Sequence, residues 1–385
     1  MDKIKNLTYL TYQTFPADTA NSIQSINLIK NIVREGLDVR LVFPERSKNS
    51  SGELEVLKAN YEFEDNFKIK MLKHNYPFKD YEKNTLFKSL RFNISHLLWS
   101  KYAVKNILRN ERENEYYITR SDWVFYFLSR KNKRVLFECH QVSKIRKIVI
   151  KNIQNRKNSK IVFTTKSLRD SFSINKEFAK QTTFLHNGYD DDYFIDTLSN
   201  KNKIIFVGNF IRFNKDRNIN FLLDSFRDPR LKNFNLTLIG GPEEYKNNLL
   251  RTVKEMKLNN VVILGRLSRR KTIHEICSSG IGLLINSDNN LHSTHHTSPL
   301  KYFEYLRAGL NIVAVDFFSH RSLPESDKII YFSHNDKESF INAVISASTK
   351  NINEINNIEL FSSKHRAKKI IEFFARPEGF EPPTL

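Results

Sequence analysis

The chain has 385 residues, 40% of them hydrophobic and 12% aromatic, enough for two ordinary globular domains because a single core stops growing near roughly 250–300 residues. Lys and Arg number 62 against 42 Asp and Glu, a formal charge of +20, so the surface is directed at an anionic partner: phosphate, nucleic acid or an acidic membrane face. Two cysteines, Cys139 and Cys277, lie far apart in no metal-ligand spacing, which excludes a disulfide framework or a zinc knuckle and suits a reducing cytoplasm.

No apolar run approaches the roughly 20 residues needed to cross a bilayer. The start MDKIKNLTYLTY enters a strand pattern without a signal-peptide core, so a soluble or peripheral protein is expected. Residues 7–12 read as a strand, 22–35 as a helix carrying Ile23, Ile26, Ile29 and Ile32, and 38–43 as a second strand closed by Pro44. This βαβ unit, with Gly36 past the helix as a left-handed cap, forces parallel strands. After a weaker polar stretch, residues 86–107 carry Phe87, Leu90, Leu97, Leu98, Tyr102 and Ile107 at helical spacing. Short strands follow at 115–119, 134–137, 160–164 and 182–186, with helices at 144–153 and 167–172.

The pattern turns polar near residues 193–203, where a domain boundary is expected, and restarts with a strand at 203–207, a turn at Gly208 and a helix at 218–226. Strands at 236–239, 260–264, 281–285, 311–315 and 328–332 complete a second α/β half. The expected organisation is a first domain over 1–198, a second over 199–360, a helix over 361–375 packing back on the first, and a tail over 376–385. That tail, RPEGFEPPTL, holds three prolines and no periodicity, and no function is expected of it. The cleft between two such halves is the natural ligand site. The loop 13–21 has no glycine with which to approach a pyrophosphate, so acceptor is expected in the first half.

The most informative stretch is TSPLKYFEYLRAGLNIVAVD, residues 297–316. Ser298 is a good N-cap, Pro299 a good first helical residue and Gly309 a good terminator. A helix starting there directs free N–H groups at the sheet rim, where they bind phosphate. Glu304 lies five residues past Pro299, about 7.5 Å along the axis, within reach of the hydroxyls of a sugar attached to that phosphate.

That stretch, with IIFVGN at 204–209, a basic loop to Lys215, LTLIGG at 236–241, VVILGRL at 261–267 and IGLLI at 281–285, resembles the nucleotide-binding domain of GT-B glycosyltransferases, specifically family 4, the large retaining family also called group 1. First-half pieces agree more loosely: TYQTFPADTANS, YITRS, FECH and LHNGYDDDYF. The resemblance implies an α/β chain of two doubly wound Rossmann-like domains facing an interdomain cleft. It implies transfer of a sugar from a UDP- or GDP-sugar to a hydroxyl of a glycan or lipid-linked acceptor, with retention, in cell-surface polysaccharide synthesis. No metal, no other cofactor and no nucleic acid are expected. A cytoplasmic location is expected, with peripheral association at the inner face of the cell membrane as an option.

Carried onto this sequence, Glu304 matches the second glutamate of the family's paired motif and implies a ribose ligand. Ser298, Pro299 and Leu300 match the backbone that meets the diphosphate; Arg266 and Leu267 match the turn that reads the base. Gly208 opens the first loop, Lys215 matches the lysine that neutralises the leaving diphosphate, and His140 matches a histidine near the transferred sugar. Two departures stand out. The first glutamate of the pair falls at His296, and the arginine expected after Gly208 is Asn209. The resemblance then leaves Arg212 or Arg217 to supply the missing cation.

Plainer readings stand beside these. Lys301 and Glu304 form a surface pair at helical spacing if read alone. Asp190, Asp191 and Asp192 imitate a metal-binding run but follow HNG, as a solvated turn does. His292, His295 and His296 have a spacing that suits zinc yet lack an evident fourth ligand. Residues 143–160 combine isoleucines with a dense basic face, which fits an anionic lipid surface or an ordinary packing helix equally. Two other functions stay open: a nucleotide-sugar binder or epimerase, raised by His296, and a basic nucleic-acid-binding protein, raised by the charge.

Overall fold

The computed structural model describes residues 4–80, 87–195, 199–212, 215–351 and 355–376; past Arg376 the expected tail lies outside the described residues. Among them the chain forms two compact units, one running to Leu185 and resuming at Ser363, the other spanning His186–Ser362.

The first unit follows the order β1 (Asn6–Leu10), α1 (Ala20–Arg34), β2 (Asp38–Glu45), α2 (Leu54–Tyr61), β3 (Lys68–Lys73), α3 (Lys88–Arg109), β4 (Glu115–Thr119), α4 (Asp122–Arg130), β5 (Val135–Cys139), α5 (Lys144–Ile153), β6 (Ser159–Phe163), α6 (Lys166–Asp170), α7 (Lys176–Ala179) and β7 (Thr182–Phe184). Its strands pair in parallel in the order β3-β2-β1-β4-β5-β6-β7. Strand residues alternate between two cores: Leu7 and Tyr9 join α1 and α2 on one face, while Leu10 and Val42 join α3, α4 and α5 on the other. Burial on both faces explains why these strands read as near-continuous apolar runs. Helix α1 starts with a capping box, in which Thr19 Oγ1 accepts from the Ser22 N–H at 3.1 Å and Ser22 Oγ from the Thr19 N–H at 3.2 Å.

The second unit continues with β8 (Asn200–Val207), a hairpin of β9 (Ile211–Arg212) and β10 (Lys215–Asp216), α8 (Ile219–Ser225), β11 (Asn235–Ile239), α9 (Glu243–Glu255), β12 (Val261–Gly265), α10 (Arg269–Cys277), β13 (Ser279–Leu284), α11 (Leu300–Arg307), β14 (Asn311–Val315), α12 (Phe318–Arg321), β15 (Ile330–Phe332) and α13 (Lys337–Thr349). The sheet order is β12-β11-β8-β13-β14-β15, all parallel. Helix α14 (Ser363–Ala375) then returns to the first unit, where Ala367, Ile370 and Phe373 join the core under α1.

Three expectations are corrected. Strand β2 runs through Pro44 to Glu45, because β1 pairs with it only as far as Val42 and Pro44 sits where β2 has edge character on that side. Residues 186–195 belong with the second unit rather than the first. There the Asn187 N–H donates to Ser298 Oγ at 3.0 Å and the Tyr189 N–H to the Phe361 carbonyl at 3.1 Å. Helix α4, DWVFYFLSR, is an element the sequence reading passed over.

Candidate active site

In a doubly wound sheet the loops on either side of the strand where the order reverses part company, and ligands bind beyond the carboxyl ends there. In the second unit that point lies between β8 and β13. Arg217, just past β10, spans it: Nε and Nη2 donate to Asn286 Oδ1, just past β13, at 3.0 and 2.5 Å, and both residues are buried. Gly208, which ends β8 with φ +140°, sits beside this bridge. A Cβ placed on Gly208 would lie 3.3 Å from Arg217 Nη1 and 4.0 Å from Lys301 Nζ. Lys301 Nζ also stands 3.7 Å from the centroid of the Phe206 ring. Two cations from separate elements thus converge on one glycine at the sheet edge, an arrangement suited to a dianion such as a diphosphate.

Lys301 rides on the first turn of α11, whose positive end adds to the same field. Tyr305 ties this helix to β8, its hydroxyl accepting from the Val207 N–H at 3.1 Å. Ser298 does not cap α11 as expected. The helix starts at Leu300 behind Pro299, with no side-chain cap. The Ser298 hydroxyl and carbonyl accept instead from the backbone N–H and side-chain amide of Asn187, so the residue anchors the segment leading into the helix.

Glu304 is buried and meets Arg269, the first residue of α10, at 2.8 Å. Burial works against the Arg269 charge, but Glu304 and Asp190 outweigh it and raise the Arg269 pKa. The acidic run is thereby accounted for in part: Asp190 is buried near Arg269, and Asp191 pairs with Arg307 at 3.4 Å. His296 is buried in a π-helical turn over His292–His296, with its pKa lowered by burial and by His295. Such turns are frequent at functional sites. Among the described residues no group of three or more His, Cys, Asp or Glu gathers closely enough to hold a metal.

The loops after β8, β11 and β12 lie side by side: the Gly208 N–H donates to the Ile239 carbonyl and the Gly240 N–H to the Gly265 carbonyl, both at 2.8 Å. Arg266 lies over the second of these loops, since a Cβ on Gly241 would fall 2.7 Å from its Nε. Leu267 packs half-buried against the core beneath α10 and α11. Asn209 is exposed and offers its carbonyl to Arg217 Nη1 at 3.4 Å. Lys215 is exposed on β10, where its Nζ donates to Asn289 Oδ1 at 3.2 Å. Arg212 pairs with Lys215 in the hairpin; its side chain lies outside the described residues. The cations beside Gly208 are thus Arg217 and Lys301, while Lys215 stands on the exposed hairpin.

In the first unit the order reverses between β1 and β4. Side chains fill that edge: the Tyr12 N–H donates to Ser121 Oγ at 2.7 Å, Ser25 Oγ to Gln13 Oε1 at 2.9 Å, and Arg120 reaches the Asn21 carbonyl at 3.1 Å. His140 follows β5, with Nε2 3.9 Å from Glu138 Oε1. Glu138 is buried and paired with Arg366 of α14 at 2.9 Å. Burial alone would raise the Glu138 pKa, but Arg366, His140 and Arg120 hold it well below the usual carboxylate range. Burial and the Arg120 charge push His140 down to about 3, so its ring is neutral near pH 7. Arg269 and Arg366 are site residues that no sequence pattern signalled; each pairs with a carboxylate far away in the chain.

Two doubly wound parallel sheets of seven and six strands are the pair of Rossmann-like units of the GT-B fold. Residues 201–350, within the second unit, match the family described as "Glycosyl transferases group 1". The chain is similar to sucrose-phosphate synthase from Thermosynechococcus elongatus, with 15% identity and a TM-score of 0.63 over 96% of this chain and 94% of that one. It is similar to the catalytic domain of starch synthase IV from Arabidopsis thaliana bound to ADP and acarbose, at 10% identity and TM-score 0.65 over 97% and 99%. A third likeness is to HepE of Anabaena in complex with UDP and glucose, at 13% identity and TM-score 0.57 over 96% and 95%. Comparison with curated proteins finds no match.

Proposed function

We propose that the enzyme moves a glycosyl group from a UDP- or GDP-sugar to a hydroxyl of a glycan or lipid-linked acceptor, with retention, in building a cell-surface polysaccharide. The observation that carries this reading is the convergence of Arg217 and Lys301 on Gly208 at the switch point of the family-matched unit. As the bond from the anomeric carbon to the diphosphate breaks, its electron pair leaves with the diphosphate and positive character grows on the sugar. Cations fixed beforehand beside the leaving oxygens stabilise that charge, and one such donor contributes about 2.7–4 kcal/mol. Arg217 and Lys301 take this role, and the start of α11 adds to it. These cations supply the neutralisation a divalent metal would otherwise give, so turnover without a metal is part of the proposal.

Glu304 is assigned to the ribose hydroxyls and Arg269 to positioning it. Arg266 and Leu267 are assigned to the base, and His296 to a hydroxyl of the donor sugar. His140, neutral and 3.9 Å from Glu138, is assigned to the sugar and acceptor side. The similar structures favour a nucleoside diphosphate, since one is bound to ADP and another to UDP and glucose. The basic surface supports a place at an anionic membrane face.

The test is a panel of UDP-, GDP- and ADP-sugars scored by thermal stabilisation and then by donor consumption, with EDTA present. Stabilisation by one base class, with consumption that speeds up when glycan or lipid-linked acceptor is added, is the expected result. Conversion of the donor to an epimer without acceptor, or no response to any nucleotide sugar, overturns it.

A further inference from the structure

Helix α3 leaves large apolar side chains in water: Phe87 just before it is 73% exposed, Leu90 56%, Ile94 41%, Leu98 42% and Tyr102 38%. Monomeric soluble proteins scatter such residues singly, whereas here four of them recur at every fourth position along one helix. The opposite side of α3 is ordinary core, where Trp99, Ala103, Val104 and Ile107 pack in the first unit. The stripe is therefore a second apolar face, additional to the one that folds the protein.

Its charge setting points to the occupant. The 22 residues of α3 include five cations, Lys88, Arg91, Lys101, Lys105 and Arg109, and no Asp or Glu. At 3.6 residues per turn, Lys101, Lys105 and Arg109 fall in the same sector of about 120° as Leu90, Ile94, Leu98 and Tyr102. The exposed face thus begins apolar and continues basic along one line. Helix α4 packs against both α3 and α5, and α5 is again free of acidic residues, with Lys144, Lys147 and Lys151 exposed. Ile150 and Ile153 of α5 are buried, leaving Ile148 as its exposed large apolar residue. The basic stretch singled out in the sequence is thus charged with little exposed apolar surface, while the apolar stripe lies on α3.

We propose that α3 lies in the plane of an anionic phospholipid surface, with Phe87, Leu90, Ile94 and Leu98 inserted among the acyl chains and the lysines of α3 and α5 at headgroup level. Helices of this kind bind by buried apolar area together with attraction to anionic lipid, and each cation near the surface adds to that attraction over about one Debye length. The proposal deepens the reading of a membrane-face acceptor and names the surface that would hold the enzyme there. None of its residues has been assigned to donor binding.

The experiment is flotation of the full chain with vesicles of phosphatidylcholine alone or with 30% phosphatidylglycerol, at low salt and with neither donor nor acceptor. Binding to the anionic vesicles at least tenfold tighter than to the neutral ones is expected. A variant combining Leu90→Ser, Ile94→Ser and Leu98→Ser should lose at least tenfold, and so should Lys101→Gln with Lys105→Gln and Arg109→Gln. Both variants should keep the wild-type circular dichroism and the wild-type thermal response to nucleotide sugar. Serine substitutions that leave vesicle binding unchanged overturn the proposal. So does equal binding to neutral vesicles, or sedimentation showing that the stripe joins two copies of the chain in the absence of lipid binding. If vesicles bind as expected but no nucleotide sugar does, the enzymatic reading falls and this surface stands.

Discussion

The two units share one architecture but line their ligand edges with different materials. Residues 1–185 contain two glycines, Gly36 and Gly52, whereas residues 186–362 contain eight. In the second unit backbone lies against backbone at the carboxyl edge: a Cβ on Gly240 would fall 1.9 Å from the Gly208 carbonyl oxygen. In the first, the edge is filled by Tyr12, Gln13, Arg120 and His140. Close backbone approach with cations beside it suits a diphosphate, and a lining of side chains suits a polyhydroxyl acceptor. One sheet plan thus presents two different edges through its loops alone.

Substituting the glycines gives the largest expected contrast. Gly240→Ala should destabilise the second unit by more than about 4 kcal/mol, the range reserved for a clash that cannot relax. Gly36→Ala meets nothing within 4 Å and should cost only about 1–2 kcal/mol for its left-handed backbone. Calorimetry resolving two transitions checks both, and equal shifts would erase the distinction.

A contrast within the second unit comes next. Arg217→Ala is expected to lower turnover about 10²–10³-fold, while Lys215→Ala, on the exposed strand of the hairpin, should change it by only a few-fold. Steady-state donor consumption measures both, with thermal unfolding as the control for the Asn286 carbonyl left behind. The reverse ranking would return the leaving-group role to Lys215.

Acid should separate the units as well. Burial holds His74 and His96 near about 4 and His140 near about 3 in the first unit, and His320 near about 4 in the second. Unfolded histidine titrates near 6.5, so below that pH the unfolded chain binds protons that the folded one refuses. Stability should then fall as pH drops from about 6.5 toward 4, by up to roughly 3 kcal/mol for each such group. Three groups in the first unit against two in the second, His320 and the less shifted His296, predict that the first unit melts earlier on acidification. Replacing His74 and His96 together by Gln should narrow the gap in a pH series of calorimetric scans.

The smallest expected effect tests the buried pair. Glu304→Gln keeps the shape of the side chain but removes the charge facing Arg269, costing about 1.5–3 kcal/mol of stability. If Arg269 positions Glu304 for a ribose, Arg269→Gln should weaken donor binding by a similar factor, read as affinity at a temperature where both variants are folded.

Much of this was legible before the structure. Strands buried on both faces announce themselves as apolar runs, and β4 and β14 fall where the pattern put them. The family-like stretch around Glu304 located α11, and Gly309 ends it with φ +71° as expected. Helix α4 was passed over because its six consecutive apolar residues mask the helical spacing at which Val124, Phe125 and Leu128 are buried. Ser298 reads as a cap by residue type, yet its hydroxyl is taken by Asn187, a partner from another segment. Arg217 was one of two arginines left open for the missing cation, and spacing could not choose between them because the hairpin decides which one returns to Gly208. The pairs Arg269–Glu304 and Arg366–Glu138 join distant segments, and spacing carries no information about such contacts.

The central claim is that the second unit grips a nucleoside-diphosphate sugar through Arg217 and Lys301 beside Gly208. Titration calorimetry of UDP-, GDP- and ADP-sugars into the wild-type chain, Arg217→Ala and Lys215→Ala tests it most directly. Saturable binding of one base class to the wild type is expected, retained in Lys215→Ala and weakened at least tenfold in Arg217→Ala. No binding of any nucleotide sugar to the wild type, or full affinity in Arg217→Ala, would contradict it.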